Sequence, residues 1–328
     1  MTLSGVTKQY PSAMALHEVD LSFVEGITGL LGENGAGKST MIKILLGLIP
    51  PTSGSVRVLG EDVTRNPLVR SRLGYMPEHD CLPVEAPAAE FLCHMAEVSG
   101  LPATRARMRA ADTLRHVGLF EARHRSMGSY STGMKQRVKL AQALVHDPDI
   151  VLLNEPAAGL DPAGRDDMLD LVRRTYREFG ITVVFSSHLM SDVERTCDRI
   201  TVLEGGRVAR AGEVAEYTAE TRTLFIEVDG NRERFVAALK ARGIPVGLAD
   251  GGIAVQGFDE ELYDLVRDAL VEAEAPLRRM APRRRELAEL FTGVDDPRAV
   301  RSAEVDHGPA AEDREAGGED REPTGADR

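Results

Sequence analysis

Along the first two hundred residues, short apolar runs alternate with longer segments whose apolar positions recur every three to four residues. Residues 16–24 and 27–31 read as strands, and 38–48 carries helical spacing that ends at Pro50-Pro51. Short strands follow at 56–59 and 73–75. From 87 to 145 the period is helical, broken at Gly100-Leu101-Pro102 and at Gly118 into about three helices. Residues 150–153 are an apolar run and 181–185 a largely apolar one, and both read as buried strands flanking a helix at 166–179. Residues 200–203 and 207–211 face each other across Glu204-Gly205-Gly206 as a hairpin. Apolar strands separated by helices predict an α/β fold: a parallel sheet covered by helices, with ligands at the carboxyl ends of the strands. The segment 87–145 is then an inserted helical lobe.

The texture changes after about residue 219. Segments 224–228, 235–240, 245–248, 253–255, 262–270 and 276–280 read as strand, helix, strand, strand, helix, strand, with a closing helix at 283–291. That order suits a small α+β module of split βαβ type. The expected domains are therefore 1–218, 219–293 and a tail, 294–328.

The net charge of −12 changes the picture of that tail: it holds 11 acidic and 5 basic residues, a net of −6, with no large apolar residue after Val305. Such a composition is expected to be disordered, a solubilising extension in preference to an acidic interaction arm. An acidic chain without a basic stripe argues against nucleic acid as the main partner. No run of 18 apolar residues occurs, and the opening MTLSGVTKQY has no apolar leader segment, so any membrane role is expected to come through a partner. Cys81, Cys93 and Cys197 lack CxxC spacing and read as small hydrophobes in a reducing compartment. The histidines other than His188 show no metal spacing.

The candidate chemistry begins with Gly32-Glu33-Asn34-Gly35-Ala36-Gly37-Lys38-Ser39-Thr40, which matches G-x-x-x-x-G-K-[ST]. The glycines let the backbone curl around phosphate oxygens, and the amides and the helix N-terminus that follow supply donors and partial positive charge. Lys38 is expected on the β- and γ-phosphates, and Ser39 on Mg²⁺. An apolar strand leads into the loop and a helix leads out, the context that such a phosphate loop requires.

Four further segments stand in the order of the ABC ATPase family, and over residues 1–217 the chain resembles it closely. Ser131-Thr132-Gly133-Met134-Lys135-Gln136 resembles the family's signature, Val151-Leu152-Leu153-Asn154-Glu155-Pro156 its Walker B strand, Gly159-Leu160-Asp161-Pro162 its D-loop and Ser186-Ser187-His188 its switch segment. Tyr10 stands in the place of the aromatic that stacks on adenine. The variant YSTGMKQR with an added C-terminal module resembles the sodium-, drug- and antibiotic-exporter branch, whose permeases are separate chains. The resemblance implies a P-loop NTPase core, ATP and Mg²⁺, a head-to-tail pair of ATP-binding subunits, a separately encoded transmembrane permease and a place on the cytoplasmic face of the membrane. Ser131 and Gly133 open a helix, so they offer a second anion-binding terminus, which makes sense as a cap on the ATP of another subunit. Glu155 after a buried strand is expected to orient the attacking water, His188 to sense the γ-phosphate, and Asp161 to carry contacts between the sites.

Taken singly, these residues have plainer readings: a strand-end carboxylate for Glu155, a structural histidine for His188, a surface strand residue for Tyr10 and a helix cap for Ser131. Their order lifts them above those readings. Two positions depart from the family. The Walker B aspartate is Asn154, and the glutamine that reaches Mg²⁺ and faces the permease is Glu78. Ala157 replaces the usual threonine, a smaller change. Asn154 keeps an acceptor oxygen and loses the charge, while Glu78 adds one, which implies partial compensation and slow turnover. The expectation is an ATP-hydrolysing subunit that powers an exporter. The alternatives are an ATP-holding regulatory subunit, which Asn154 keeps open, and a soluble ABC protein outside transport, disfavoured by the single cassette.

Overall fold

Two apolar residues, Leu3 and Val6, stand three apart in the first segment, against the period of two that a half-buried strand shows. In the computed structural model, which describes residues 1–218, 220–249, 252–257, 260–284 and 287, this segment is nevertheless a strand, β1 (Thr2–Tyr10). It pairs antiparallel with β2 (Ala13–Ser22), and the register shifts between Leu3 and Val6, where Gly5 takes φ 56°. The irregularity inserts one residue and returns both side chains to the core, where they are 1% and 0% exposed. The expectation of residues 16–24 as the first strand is corrected accordingly.

The chain continues through β3 (Ile27–Leu31), α1 (Lys38–Leu45), β4 (Ser53–Val58), β5 (Glu61–Asp62) and β6 (Leu73–Met76). The helical segment holds α2 (Ala88–Val98), α3 (Ala103–His116) and α4 (Thr132–Leu144). Then come β7 (Ile150–Asn154), α5 (Pro162–Phe179), β8 (Thr182–Ser187), α6 (Met190–Thr196), β9 (Arg199–Glu204), β10 (Arg207–Glu213) and α7 (Val214–Tyr217). The last elements are β11 (Glu220–Val228), α8 (Arg232–Ala241), β12 (Val246–Ala249), β13 (Gly252–Gln256), α9 (Glu260–Glu272) and β14 (Leu277–Arg284).

A six-stranded sheet in the order β10-β9-β3-β8-β7-β6 forms the centre, parallel except for the hairpin strand β10. β3 and β7 are buried at every position, as strands covered on both faces must be. A second sheet, β2-β1-β4-β5, is antiparallel. One core joins the two sheets through α1, whose Met41, Ile42, Ile44 and Leu45 pack with Leu3, Val56, Leu152 and Val184. Each such side chain contributes roughly 1.5–3 kcal/mol by leaving water. The helix ends at Leu45, short of the expected residue 48, because Gly47 takes φ 64° and turns the chain away.

The third sheet, β12-β13-β11-β14, is antiparallel and carries α8 and α9 with its own core around Leu224, Phe235, Leu239, Ile253 and Val266. The order of elements is the one the pattern predicts for a split βαβ unit. The expected helix at 283–291 is corrected at its start, where Arg283 and Arg284 belong to β14; its remaining residues other than Leu287, and the tail at 294–328, lie outside the described residues. Among the described residues no helix is long and apolar enough to cross a membrane.

Candidate functional site

The parallel register brings the carboxyl ends of four strands side by side: Leu31 pairs with Ser187, Asn154 with Ser186 and Met76 with Leu153. The loops that leave these ends therefore converge, at the edge where open α/β sheets hold ligands. A cleft of about 270 Å³ lies there. It is lined by Asn34, Gly35, Gly37, Lys38, Ser39 and Thr40 of the phosphate loop, by Glu78, Asn154, Glu155 and His188, and by Ala15 and Ala158.

The loop between β3 and α1 folds as it does because two glycines approach backbone closely. A Cβ on Gly32 would lie 2.5 Å from the Leu203 carbonyl, and one on Gly37, at φ 108°, would lie 2.5 Å from that of Ala15. Gly37 caps α1, so the first amides of that helix open toward the cleft. The Lys38 Nζ donates to the carbonyls of Gly32 (2.6 Å) and Glu33 (3.1 Å), which seats the ammonium inside the loop's curl. Burial lowers its pKa, and the carboxylates of Glu155 and Glu78 oppose that shift.

At the end of β7 the side chains alternate in role. Asn154 is 5% exposed; its Oδ1 accepts from the Ser186 hydroxyl at 2.7 Å, and its Nδ2 donates to Ser39 Oγ at 3.3 Å. Ser186 Oγ also accepts from the Glu155 amide at 3.1 Å, which ties the two strand ends together. In this structure the amide nitrogen of Asn154 faces Ser39. Glu155 then takes φ 51°, a left-handed conformation uncommon outside glycine, which turns the chain away from the strand while the residue lines the cleft. Its side chain is 11% exposed, and burial raises its pKa, countered by His188 and Lys38 and reinforced by Glu78. His188 Nδ1 lies 3.0 Å from Glu155 Oε2. An ionised carboxylate accepts there, so Nδ1 carries the proton and Nε2 is left for another group.

The arrangement supplies a curled donor loop, a half-buried carboxylate whose proton affinity is raised, and an imidazole tied to it. Chemically this suits a polyanion beside an oriented water. Ser39 and Glu78 are hard oxygen donors of the kind that hold Mg²⁺ when a ligand's phosphates complete the shell. Among the described residues no group of three or more His, Cys, Asp or Glu could hold a metal by itself.

Ser131, Gly133 and Asp161 do not line this cleft. Ser131 caps α4, its Oγ accepting from the Met134 amide at 3.3 Å, and Asp161 is the N-cap position of α5 without a side-chain cap bond. The two segments touch each other: a Cβ on Gly133 would meet Leu160 at 3.8 Å, and one on Gly159 would meet Thr132 at 3.7 Å. Gln136 fastens the contact by donating to the Ala158 carbonyl at 2.9 Å. Tyr10 also stands apart from the cleft, at the β1–β2 turn opposite Ala13, with the Lys8 ammonium 5.3 Å from its ring centre. Sequence reasoning gave no role to Ser186 beyond its place in the switch segment. The only signal for it is a hydroxyl at the end of an apolar strand, two residues before His188.

Comparison with known proteins gives a consistent picture. A family model described as ABC transporter matches residues 16–158. The daunorubicin resistance ATP-binding protein DrrA3 of Streptomyces coeruleorubidus is 34% identical over 92% of this chain and 98% of its own length. The Nod factor export ATP-binding protein I of Burkholderia orbicola is 37% identical over 69% of this chain and 75% of its own. Among solved structures, the dimeric MJ0796, a bacterial ABC transporter cassette, is 28% identical with a TM-score of 0.58, over 65% of this chain and 98% of that one. With the phosphate loop, the strand-end carboxylate and the signature and D-loop segments in the family's order, this chain belongs to the ATP-binding proteins of ABC transporters.

Proposed function

We propose that the chain hydrolyses Mg-ATP and drives a separately encoded transmembrane permease, most simply an exporter. The observation that carries the reading is the convergence in one cleft of the Lys38 loop with the Glu155–His188 pair. In this reading the loop amides of Gly32 to Thr40 and the Lys38 ammonium bind the triphosphate, and Tyr10 stacks on the adenine. Glu155 orients and deprotonates the attacking water. His188 holds Glu155 through Nδ1 and presents Nε2 toward the γ-phosphate. Ser39 and Glu78 would hold Mg²⁺, which supplies charge neutralisation at the phosphates.

The terminus of α4 at Ser131 and Gly133 has the donors for a second phosphate group but stands off its own cleft. That supports a head-to-tail dimer, in which each terminus caps nucleotide held by the other subunit and Asp161 bridges the two sites. Binding closes the pair, hydrolysis reopens it, and a permease docked on the membrane side converts the motion into transport. Relatives named for drug resistance and Nod factor export favour export. Residues 219–293 are proposed as a separate module, for dimer contact or regulation.

Purified protein should bind Mg-ATP and release phosphate. Lys38→Ala should abolish binding, and Glu155→Gln should keep binding while losing turnover by about 10²-fold or more. Equal Mg-ATP affinity in parent and Lys38→Ala would sink the reading. Co-purification with a membrane subunit encoded nearby tests the permease.

One observation favours a second reading. Asn154 turns a donor toward Ser39 where an acceptor would serve a cation better. A subunit that holds ATP and turns it over slowly beside an active partner fits that geometry, and the turnover assay distinguishes the two.

A further inference from the structure

Among the described residues Lys139 is one of the large side chains buried to less than 2% exposure, yet it ends in an ammonium. It lies in the middle of α4, and its Nζ donates to the backbone carbonyl of Glu78 at 2.7 Å. The same residue, Glu78, lines the nucleotide cleft. One peptide unit is thus held from behind by α4 while the residue faces the cleft.

Other contacts fasten the same helix along its length. A Cβ on Gly74 would lie 2.1 Å from the Ala143 carbonyl, so β6 and α4 meet backbone to backbone. His146, just beyond the helix, pairs with the Leu73 carbonyl at 3.0 Å. Toward the other end, Gln136 reaches the Ala158 carbonyl, and Ser131 caps the first turn. A packed helix is stiff over this length, so displacement at Ser131 is passed to whatever the helix holds. An ammonium buried on a carbonyl is a poor source of stability compared with an apolar side chain of similar volume, so packing alone gives no reason for a lysine here.

We propose that Lys139 is a positioning residue that makes α4 a strut between the two nucleotide sites of a dimer. Seating the Ser131 end on the nucleotide of a second copy sets the place of Glu78 in the chain's own cleft. The proposal rests on the reading of the cleft as an ATP site and of Ser131 as the cap on a second copy.

The test uses the full chain with Lys139→Met, Lys139→Arg, Glu78→Gln and the Lys139→Met/Glu78→Gln double variant. Lys139→Met should leave the Kd for a fluorescent ATP analogue within about twofold and lower kcat by about tenfold or more, the scale of losing an outer partner of a site ligand. Its Hill coefficient for ATP should fall to about one, and amide hydrogen exchange at residues 77–81 should quicken while that of β3 and β7 stays as in the parent. Lys139→Arg should recover part of kcat. On top of Glu78→Gln, Lys139→Met should cost less than about twofold, because the carboxylate that Lys139 positions is already gone. Fully multiplicative losses in the double variant, or unchanged exchange at 77–81 with a lowered Tm and weakened nucleotide binding, would overturn the proposal. Should Lys139→Met not fold, Lys139→Gln takes its place in the same comparison. Failure of the parent to bind ATP would overturn the ATP reading instead, and exchange at 77–81 would still decide whether Lys139 holds the loop.

Discussion

Replacing Asn154 by aspartate should have opposite effects with and without nucleotide. The side chain is 5% exposed, its Oδ1 is taken by the Ser186 hydroxyl at 2.7 Å, and its Nδ2 points at Ser39. An aspartate keeps the first bond and puts an acceptor oxygen where the amide nitrogen was. Ser39 then becomes the donor. The new charge is buried at a cleft that already holds Glu155 and Glu78. Without a cation this should cost about 1–3 kcal/mol, the usual penalty for an underpaired buried polar or charged group. That should lower Tm by several degrees. With Mg-ATP bound, the charge completes the shell around the cation. Outer partners of this kind are worth about 10–100-fold in metal affinity, which is about 1.4–2.8 kcal/mol. Asn154→Asp should therefore melt below the parent without nucleotide, show a larger rise in Tm on adding Mg-ATP, and reach half-maximal phosphate release at about a tenth or less of the Mg²⁺ concentration. Melting curves and phosphate release across a Mg²⁺ titration measure both. If the variant melts like the parent and needs the same Mg²⁺, Asn154 does not stand beside the cation.

Three further outcomes follow from the same geometry. Glu78→Gln should raise the Mg²⁺ requirement by about 10-fold or more; no loss, together with no gain in Asn154→Asp, would rule out compensation between the two residues. Burial holds the Glu155 pKa above the ordinary carboxylate range, so its ionisation destabilises the fold progressively as pH rises from the unfolded carboxylate value through the raised one. Glu155→Gln should thus raise Tm more at pH 8 than at pH 5, whereas in the parent phosphate release should fall off on acidification at a pH above that of an exposed carboxylate; equal Tm gains at both pH values would contradict the raised pKa. Gly74→Ala would force a Cβ to 2.1 Å from the Ala143 carbonyl and should destabilise by about 1–3 kcal/mol as overpacking, read as a lower Tm; an unchanged Tm would mean that β6 and α4 separate easily.

The sequence alone determined what depends on neighbours along the chain. Residues 32–40 announce their own chemistry, because the glycines, the lysine and the helix start are adjacent in sequence and Lys38 bonds the carbonyls of Gly32 and Glu33 in the same loop. β3 and β7 were legible as short, mainly apolar runs, and the helices of 88–144 by their helical period. The mainly apolar β3 and β7 also implied a sheet buried on both faces. What escaped was set by partners far away in sequence. β1 was hidden because a bulge at Gly5 breaks its alternation, and only pairing with β2 shows which side chains face the core. The partner of Asn154 Oδ1 is Ser186, 32 residues away, and that of the Lys139 ammonium is a carbonyl 61 residues away. A polar side chain takes its meaning from the group it bonds. When that group arrives by folding, no local pattern announces it, and only the tertiary structure can decide which atom it meets.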